Sequence, residues 1–331
     1  MQDKHFLQGK CSLQEKEWLR TQQERTFAMA AIAKQKTRGK GNKRDMEGYG
    51  FILPGVIYMI LVVGYPIVYN FILSFKNTSV QNLAKGTSVF IGLQNYKELF
   101  SNPTFLLILK NTFVFTFGSL IFQFTIGYML ALFFYKRFTL AGPIRGLMLI
   151  PYMMPMAVTG LLGQNLFLQD GLINKILSWF GAGPLPWLTS TSTAMIAVVI
   201  MNCWVGIPFN MLLLISGLSN VPEEVYEASS IDGASKLQQF FLITLPLMKD
   251  AILAVLMLGF IYTFRAFDLM FIMTAGGPLN STDVLGTYSY TLSFTQYQFS
   301  KGSAVAIVLF LCLMVIGILY LILIVKGEKD E

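Results

Sequence analysis

Five stretches of this chain, residues 51–75, 111–135, 146–169, 194–218 and 302–325, each run for 24 or 25 residues without a charge. A sixth, 251–274, is equally apolar but carries Arg265 and Asp268. About 20 apolar residues in a helix cross the hydrocarbon core, so each stretch is long enough to span a bilayer. The apolar positions follow a helical period, which excludes the alternating pattern of an outer-membrane barrel. Pro54, Pro66, Pro151, Pro155 and Pro208 lie inside these stretches. They would break helices in water, but neighbouring spans re-satisfy freed backbone groups in a bundle. The expected fold is all-α: a polytopic membrane protein with six transmembrane helices over residues 51–326, between a basic tail (1–50) and a short end (327–331).

Only 13% of the 331 residues are charged, against about 25% in soluble domains, which agrees with the spans. The net charge of +7 does not point to nucleic acid, because eleven of the 25 Lys and Arg residues fall in the first 50 positions. With the amino terminus inside, the inner segments hold 18 positive residues and the outer loops 6, so both termini are placed in the cytoplasm. The tail has no apolar core of a signal peptide, and Cys11 follows Lys10 instead of closing a hydrophobic run. Residues 13–33 suit an interfacial helix, and the cluster 34–44 a topology-fixing basic flank. One histidine and three distant cysteines (Cys11, Cys203, Cys312) provide no metal-ligand spacing, and Asp170, Asp250 and Asp283 are scattered. No catalytic residues and no metal site are expected.

The polar connection 219–250 reads as helix, turn, helix. Asn220 is the expected N-cap, with Glu223 three residues on and Pro222 in the first turn. The helix ends at Ile231, Gly233 permits a turn with positive φ, and Leu237, Phe240 and Phe241 share one face of a second amphipathic stretch closed by Pro246. Such a protrusion suits docking into another protein.

Glu227-Ala228-Ser229-Ser230-Ile231-Asp232-Gly233-Ala234, followed by Ile243-Thr244-Leu245-Pro246, resembles the EAA loop of binding-protein-dependent ABC importer permeases. Phe90-Ile91-Gly92-Leu93-Gln94-Asn95-Tyr96 resembles an outer-loop motif of the maltose-type sugar permeases. Phe267-Asp268 with Thr274-Ala275-Gly276-Gly277-Pro278 resembles the ending of their fifth helix. The likeness covers residues 50–325. Ser229 departs from it, standing where the family usually has a second alanine.

The resemblance implies a carbohydrate permease subunit in the cytoplasmic membrane of a bacterium or archaeon. Its partners would be a second, homologous permease, two cytosolic ABC ATPase subunits, an extracytoplasmic solute-binding protein and the lipid bilayer, with no nucleic acid. Glu227, Ala228, Asp232, Gly233, Ala234, Leu245 and Pro246 would couple to the ATPases. The chain has no Gly-x-x-x-x-Gly-Lys-Ser/Thr phosphate loop, so it is expected to be no enzyme and to hold no cofactor, ATP and Mg being bound by the partner ATPases.

Counted without gaps from Glu227, the solute-contacting positions of maltose-type permeases fall on Asn202, Gly206, Phe209, Gly259, Tyr262, Thr263 and Ala266. Asn202, Phe209, Tyr262 and Thr263 have the amide, hydroxyl and aromatic chemistry that a saccharide needs. Gly259 and Ala266 replace polar residues, which points away from maltose. Arg265 and Asp268, three residues apart, are expected on one helical face where they can pair, in the solute path, as a packing pair or, Asp268 being nearer the outer end, as a gate-side anchor. Two other readings stand beside the sugar permease: an ABC permease for glycerol phosphate or another small polar solute, and an ion-coupled secondary transporter using Asp268, which would not need the EAA loop.

Overall fold

The computed structural model describes residues 41–327 except Arg137; the helix expected over 13–33 lies outside the described residues. Contacts divide the chain into two units, Met1–Tyr69 and Asn70–Glu331. The first span is one helical run, Gly41–Met59, a π-helical turn Ile60–Gly64 and Tyr65–Ser74. Residues 41–50, counted with the tail in the sequence, are therefore helical. The wide turn just ahead of Pro66 relieves the clash of its ring with the preceding turn.

The second span, Pro103–Tyr135, starts eight residues before the apolar stretch because Asn102 caps it. The Asn102 side chain accepts from the backbone N–H of Thr104 at 2.9 Å, and Pro103 takes the first helical position, where a missing N–H costs nothing. The fourth span, Ala194–Leu218, has the bounds read from the sequence and passes through Pro208. The sixth, Phe299–Gly327, contains the stretch 302–325.

Two expected spans are corrected. Residues 146–169 are not one helix: Ala141–Met153 and Met156–Leu166 meet at 93°. Met154, directly before Pro155, is forced into the extended region (φ −76°, ψ 139°), and the helix cannot continue through it. Residues 251–274 are also interrupted. Lys249–Phe264 ends at Arg265, and Asp268–Thr274 is a separate short helix. The break leaves both charged side chains exposed, where a continuous helix would carry them among apolar neighbours. Lys249–Phe264 is instead bent by 69° against Lys236–Leu247. Among the described residues four helices are long and apolar enough to cross a membrane, or six if each bent pair is one span. The only strands among them are Lys76–Asn77 and Val89–Phe90, paired antiparallel.

The second and fourth spans form the closest pair. At Gly127 a Cβ would lie 2.8 Å from the Asn210 Cβ and 3.2 Å from the Met211 backbone nitrogen, so this approach requires glycine. In lipid, where apolar burial gives little drive between helices, such small-residue contacts supply the packing. One apolar cluster joins Met211, Leu214, Leu218, Val221 and Met248 towards the loop between the fourth and fifth spans. Another joins Phe105, Ile108, Phe260, Phe264, Leu285 and Val305 at the other end of the second span.

The two loop motifs act as struts. Asn95, buried, donates to the carbonyls of Ser74 (2.7 Å) and Lys76 (2.9 Å), and the Tyr96 hydroxyl donates to Ser74 Oγ at 2.7 Å. After Thr274 the chain turns through Ala275 and Gly276, both with positive φ. The Asn280 carbonyl accepts from Asn111 Nδ2 (2.9 Å), and the Leu285 N–H donates to Thr112 Oγ1 (3.0 Å), which ties this loop to the second span. Asp283, also buried, accepts from the Thr287 hydroxyl; burial raises its carboxyl above the usual range, while its hydrogen bonds to Thr287 and the Val284 backbone pull the other way.

Candidate functional site

Asn202, Gly206 and Phe209 lie near the middle of the fourth span at helical spacing, and Gly259, Tyr262, Thr263 and Ala266 lie at the end of the fifth. All seven line one cavity of about 540 Å³, within the roughly 300–1,000 Å³ usual for small-molecule sites. Gln123 of the second span and Tyr152 and Met156, on either side of the Pro155 break, complete its wall. Its aromatic rings touch in series. Tyr152 stacks on Phe209 (centroids 5.2 Å apart, 22° between planes), Phe209 meets Tyr262 edge-on (5.8 Å, 83°), and the Arg265 guanidinium lies over the Tyr262 ring at 5.1 Å. A saccharide can stack on that face of Phe209 only if Tyr152 moves aside.

The polar groups form a second strip. Gln123 Nε2 donates to the Asn202 carbonyl at 3.0 Å. The Gln123 side chain fills the notch left by Gly206, where any Cβ would collide with its amide. Asn202 Nδ2, Asn210 Oδ1 and Ser119 Oγ are buried without a hydrogen-bond partner. An unsatisfied buried group costs about 1–3 kcal/mol; of the three, Asn202 alone lines the cavity, where its amide N–H can donate to a ligand.

Arg265 and Asp268 both line the cavity, but the expected pairing on one helical face is not formed. Arg265 caps the end of one helix and Asp268 opens the next, with Ala266 and Phe267 non-helical between them. The one ion pair among the described residues is Lys301–Glu98 at 3.0 Å. Asp268 instead sits in the first turn of its helix, where the N-terminal end of the helix dipole favours negative charge.

The loop between the fourth and fifth spans is helix Glu223–Ile231, a turn at Asp232-Gly233-Ala234, helix Lys236–Gln239 and a π-turn Phe240–Thr244. Gly233 has φ +81° with nothing within 4 Å of its would-be Cβ, so backbone conformation alone asks for glycine. Glu227, Ala228, Asp232, Gly233 and Pro246 are exposed, whereas Ala234 and Leu245 are half-buried. Asn220 is not the cap. Val221 is drawn into the Leu218–Met248 cluster, the chain stays extended at Pro222 (ψ 135°), and the helix opens on Glu223. Leu237, Phe240 and Phe241 do not share one environment either: Phe240 packs edge-on to Tyr128 at 5.7 Å, while Leu237 and Phe241, four residues apart, lie together on the exposed face. A capping box that the sequence reading passed over, Ser235 with Gln238, starts the second helix.

A bundle of apolar spans enclosing a polar, aromatic cavity, with a helical loop at one end, has the architecture of a multi-pass membrane protein. The model of the binding-protein-dependent transport system inner membrane component matches residues 123–326, and the chain belongs to that family. The sulfoquinovosyl glycerol transport system permease protein of Agrobacterium fabrum is 32% identical over 82% of this chain and 87% of its own length. The trehalose/maltose transport system permease protein of Thermococcus litoralis is 32% identical over 83% of this chain and 92% of its own. In fold, the chain is similar to one in the crystal structure of a bacterial alginate ABC transporter in complex with an alginate pentasaccharide-bound periplasmic protein. The TM-score is 0.73 at 21% identity, covering 84% of this chain and 93% of that one.

Proposed function

We propose that this chain is the permease subunit of an ABC importer that moves a carbohydrate, an oligosaccharide in the reading preferred here, from an extracytoplasmic binding protein into the cytoplasm. It works beside a second permease, and two cytosolic ATPase subunits that bind ATP and Mg supply the energy; this chain holds no ATPase site or cofactor. Both termini and the loop 219–250 lie on the cytoplasmic side, where Glu227 and its neighbours meet the ATPases. The relatives named for sulfoquinovosyl glycerol and for trehalose and maltose support a carbohydrate as the solute.

One observation carries the reading of the solute path. Asn202, Gly206, Phe209, Gly259, Tyr262, Thr263 and Ala266 line a single cavity, and this cavity offers ring faces and the unpartnered Asn202 amide. An uncharged saccharide presents apolar ring faces and many hydroxyls, which such a wall matches. Arg265 on the same wall favours, as a second reading, a small anionic solute such as glycerol phosphate.

The test is reconstitution in proteoliposomes with the partner subunits and binding protein. Uptake is expected to require ATP, to resist a protonophore and to be competed by neutral oligosaccharides. Transport by this chain alone under an imposed pH gradient would overturn the reading in favour of an Asp268-based secondary transporter.

A further inference from the structure

The turn at Gly233 leaves open space where a Cβ would stand, and backbone bonds from the Gly233 N–H to the Ser230 carbonyl (3.2 Å) and from the Ala234 N–H to the Ser229 carbonyl (3.0 Å) close it onto helix Glu223–Ile231 only. Beside the turn the apolar side chains do not meet, Ile231 being 86% exposed and Leu237 71%, while Tyr226 and Phe240 pack against the Leu218–Met248 cluster. What joins that helix to Lys236–Gln239 is a polar cluster. Gln239, 4% exposed, donates from Nε2 to Ser230 Oγ (2.8 Å), Ser229 Oγ (3.0 Å) and, more weakly, the Tyr226 carbonyl (3.4 Å). Both serine hydroxyls donate to that same carbonyl, at 2.9 and 2.7 Å. The Tyr226 and Thr244 hydroxyls lie 3.0 Å apart, and Thr244 in turn donates to the Gln239 carbonyl at 3.2 Å. Ser229, which departs from the alanine of the resembling motif, thus adds a bond that alanine cannot make.

We propose that Gln239 is a positioning residue that clasps helices Glu223–Ile231 and Lys236–Gln239 into one rigid body, so that displacement of the loop by an ATPase subunit reaches the fifth span without loss. The inference rests on the reading of this loop as the ATPase-docking element. A closed network of shared donors and acceptors around the buried Gln239 amide is stiffer than its bonds taken singly. Loosening it lets the loop move without moving the span, so ATP is hydrolysed with less solute carried.

The experiment uses the complete importer in proteoliposomes and compares Gln239→Leu, Ser229→Ala, the double serine variant Ser229→Ala/Ser230→Ala, and Gly233→Val. Co-purification of the ATPase subunits and ATP hydrolysed per solute moved are the two readouts. Gln239→Leu is expected to assemble normally and to raise ATP per solute about fivefold, the equivalent of one buried hydrogen bond. Ser229→Ala should give a smaller rise and add less than its own effect when combined with Gln239→Leu, because both remove the Gln239–Ser229 bond. Wild-type ATP per solute in assembled Gln239→Leu, or strict additivity of the two substitutions, would overturn the clasp. If Gln239→Leu does not assemble, the double serine variant, which deletes only two oxygens, replaces it, and wild-type stoichiometry there is equally fatal. Gly233→Val separates the two levels of inference. If it transports normally the docking reading itself falls; if it fails while Gln239→Leu is normal, only the clasp falls.

Discussion

Gly206→Ala adds one methyl group at the point where the second and fourth spans meet the cavity. The new Cβ would collide with the Gln123 amide, the far end of a flexible side chain, so the helices need not separate and Gln123 can swing away. Swinging breaks its 3.0 Å bond to the Asn202 carbonyl, a loss of about 1 kcal/mol, and pushes the amide into the cavity. Against this, alanine favours a helix over glycine by about 0.8–1.0 kcal/mol, and Gly206 lies inside Ala194–Leu218. The two effects nearly cancel in stability but not in function, because only one of them occupies the cavity. Gly206→Ala is therefore expected to leave the thermal midpoint of the purified complex almost unchanged while raising the apparent KM for uptake about tenfold, equivalent to about 1.4 kcal/mol. The assay is uptake per assembled complex, with Gln123→Ala in the Gly206→Ala background as the decisive variant, since removing the displaced amide should restore much of the lost affinity. A double variant no better than Gly206→Ala alone would refute the argument that Gln123 is what the methyl displaces.

Tyr262→Ala and Asn202→Ala should each weaken uptake about tenfold to a hundredfold, with no change in sugar affinity of the isolated binding protein; full activity per complex in both would place the solute path elsewhere. At Gly233, with φ +81° and open surroundings, valine carries a left-handed strain of about 1–2 kcal/mol that asparagine largely escapes, so Gly233→Val should lower solute-stimulated ATPase activity while Gly233→Asn stays near wild type. Burial raises the Asp283 carboxyl, so the folded loop holds a proton that the unfolded chain gives up at lower pH, and its stabilisation is lost as pH rises from about 4 through the raised value. Asp283→Asn, which does not titrate, should flatten the melting temperature against pH in that window, and an unchanged profile would refute the assignment.

What the sequence made legible was local. The fourth span, the end of the first loop helix at Ile231 and the positive φ of Gly233 depend on uncharged length and on glycine, and each is found where it was read. Pro155 was visible too, but whether a proline kinks or breaks a span depends on neighbours that a single sequence does not display. The break at Arg265 has no proline or glycine at residues 265–267 to signal it; the charges at its edges were the only sign, and helical spacing turned that sign into an expected pair. Gln123 and Tyr152 escaped because counting from Glu227 reaches the fourth and fifth spans alone, whereas the cavity also takes walls from the second and third. The Ser235–Gln238 box was readable as Ser-x-x-Gln and was obscured by the stronger Asn220–Glu223 pattern nearby.

The Gln123 amide seated against Gly206 also constrains how these helices can move. Asn202 and Asn210 lie one helical turn to either side of Gly206, so sliding the second span along the fourth by one turn, about 5.4 Å, would drive Gln123 onto a full side chain instead of a gap. Ratcheting along this seam is therefore blocked in both directions. Tilting the third and fifth helices about their breaks would leave the seam intact, so the seated amide restricts sliding of the second span along the fourth without restricting rotation at residues 154–155 and 265–267.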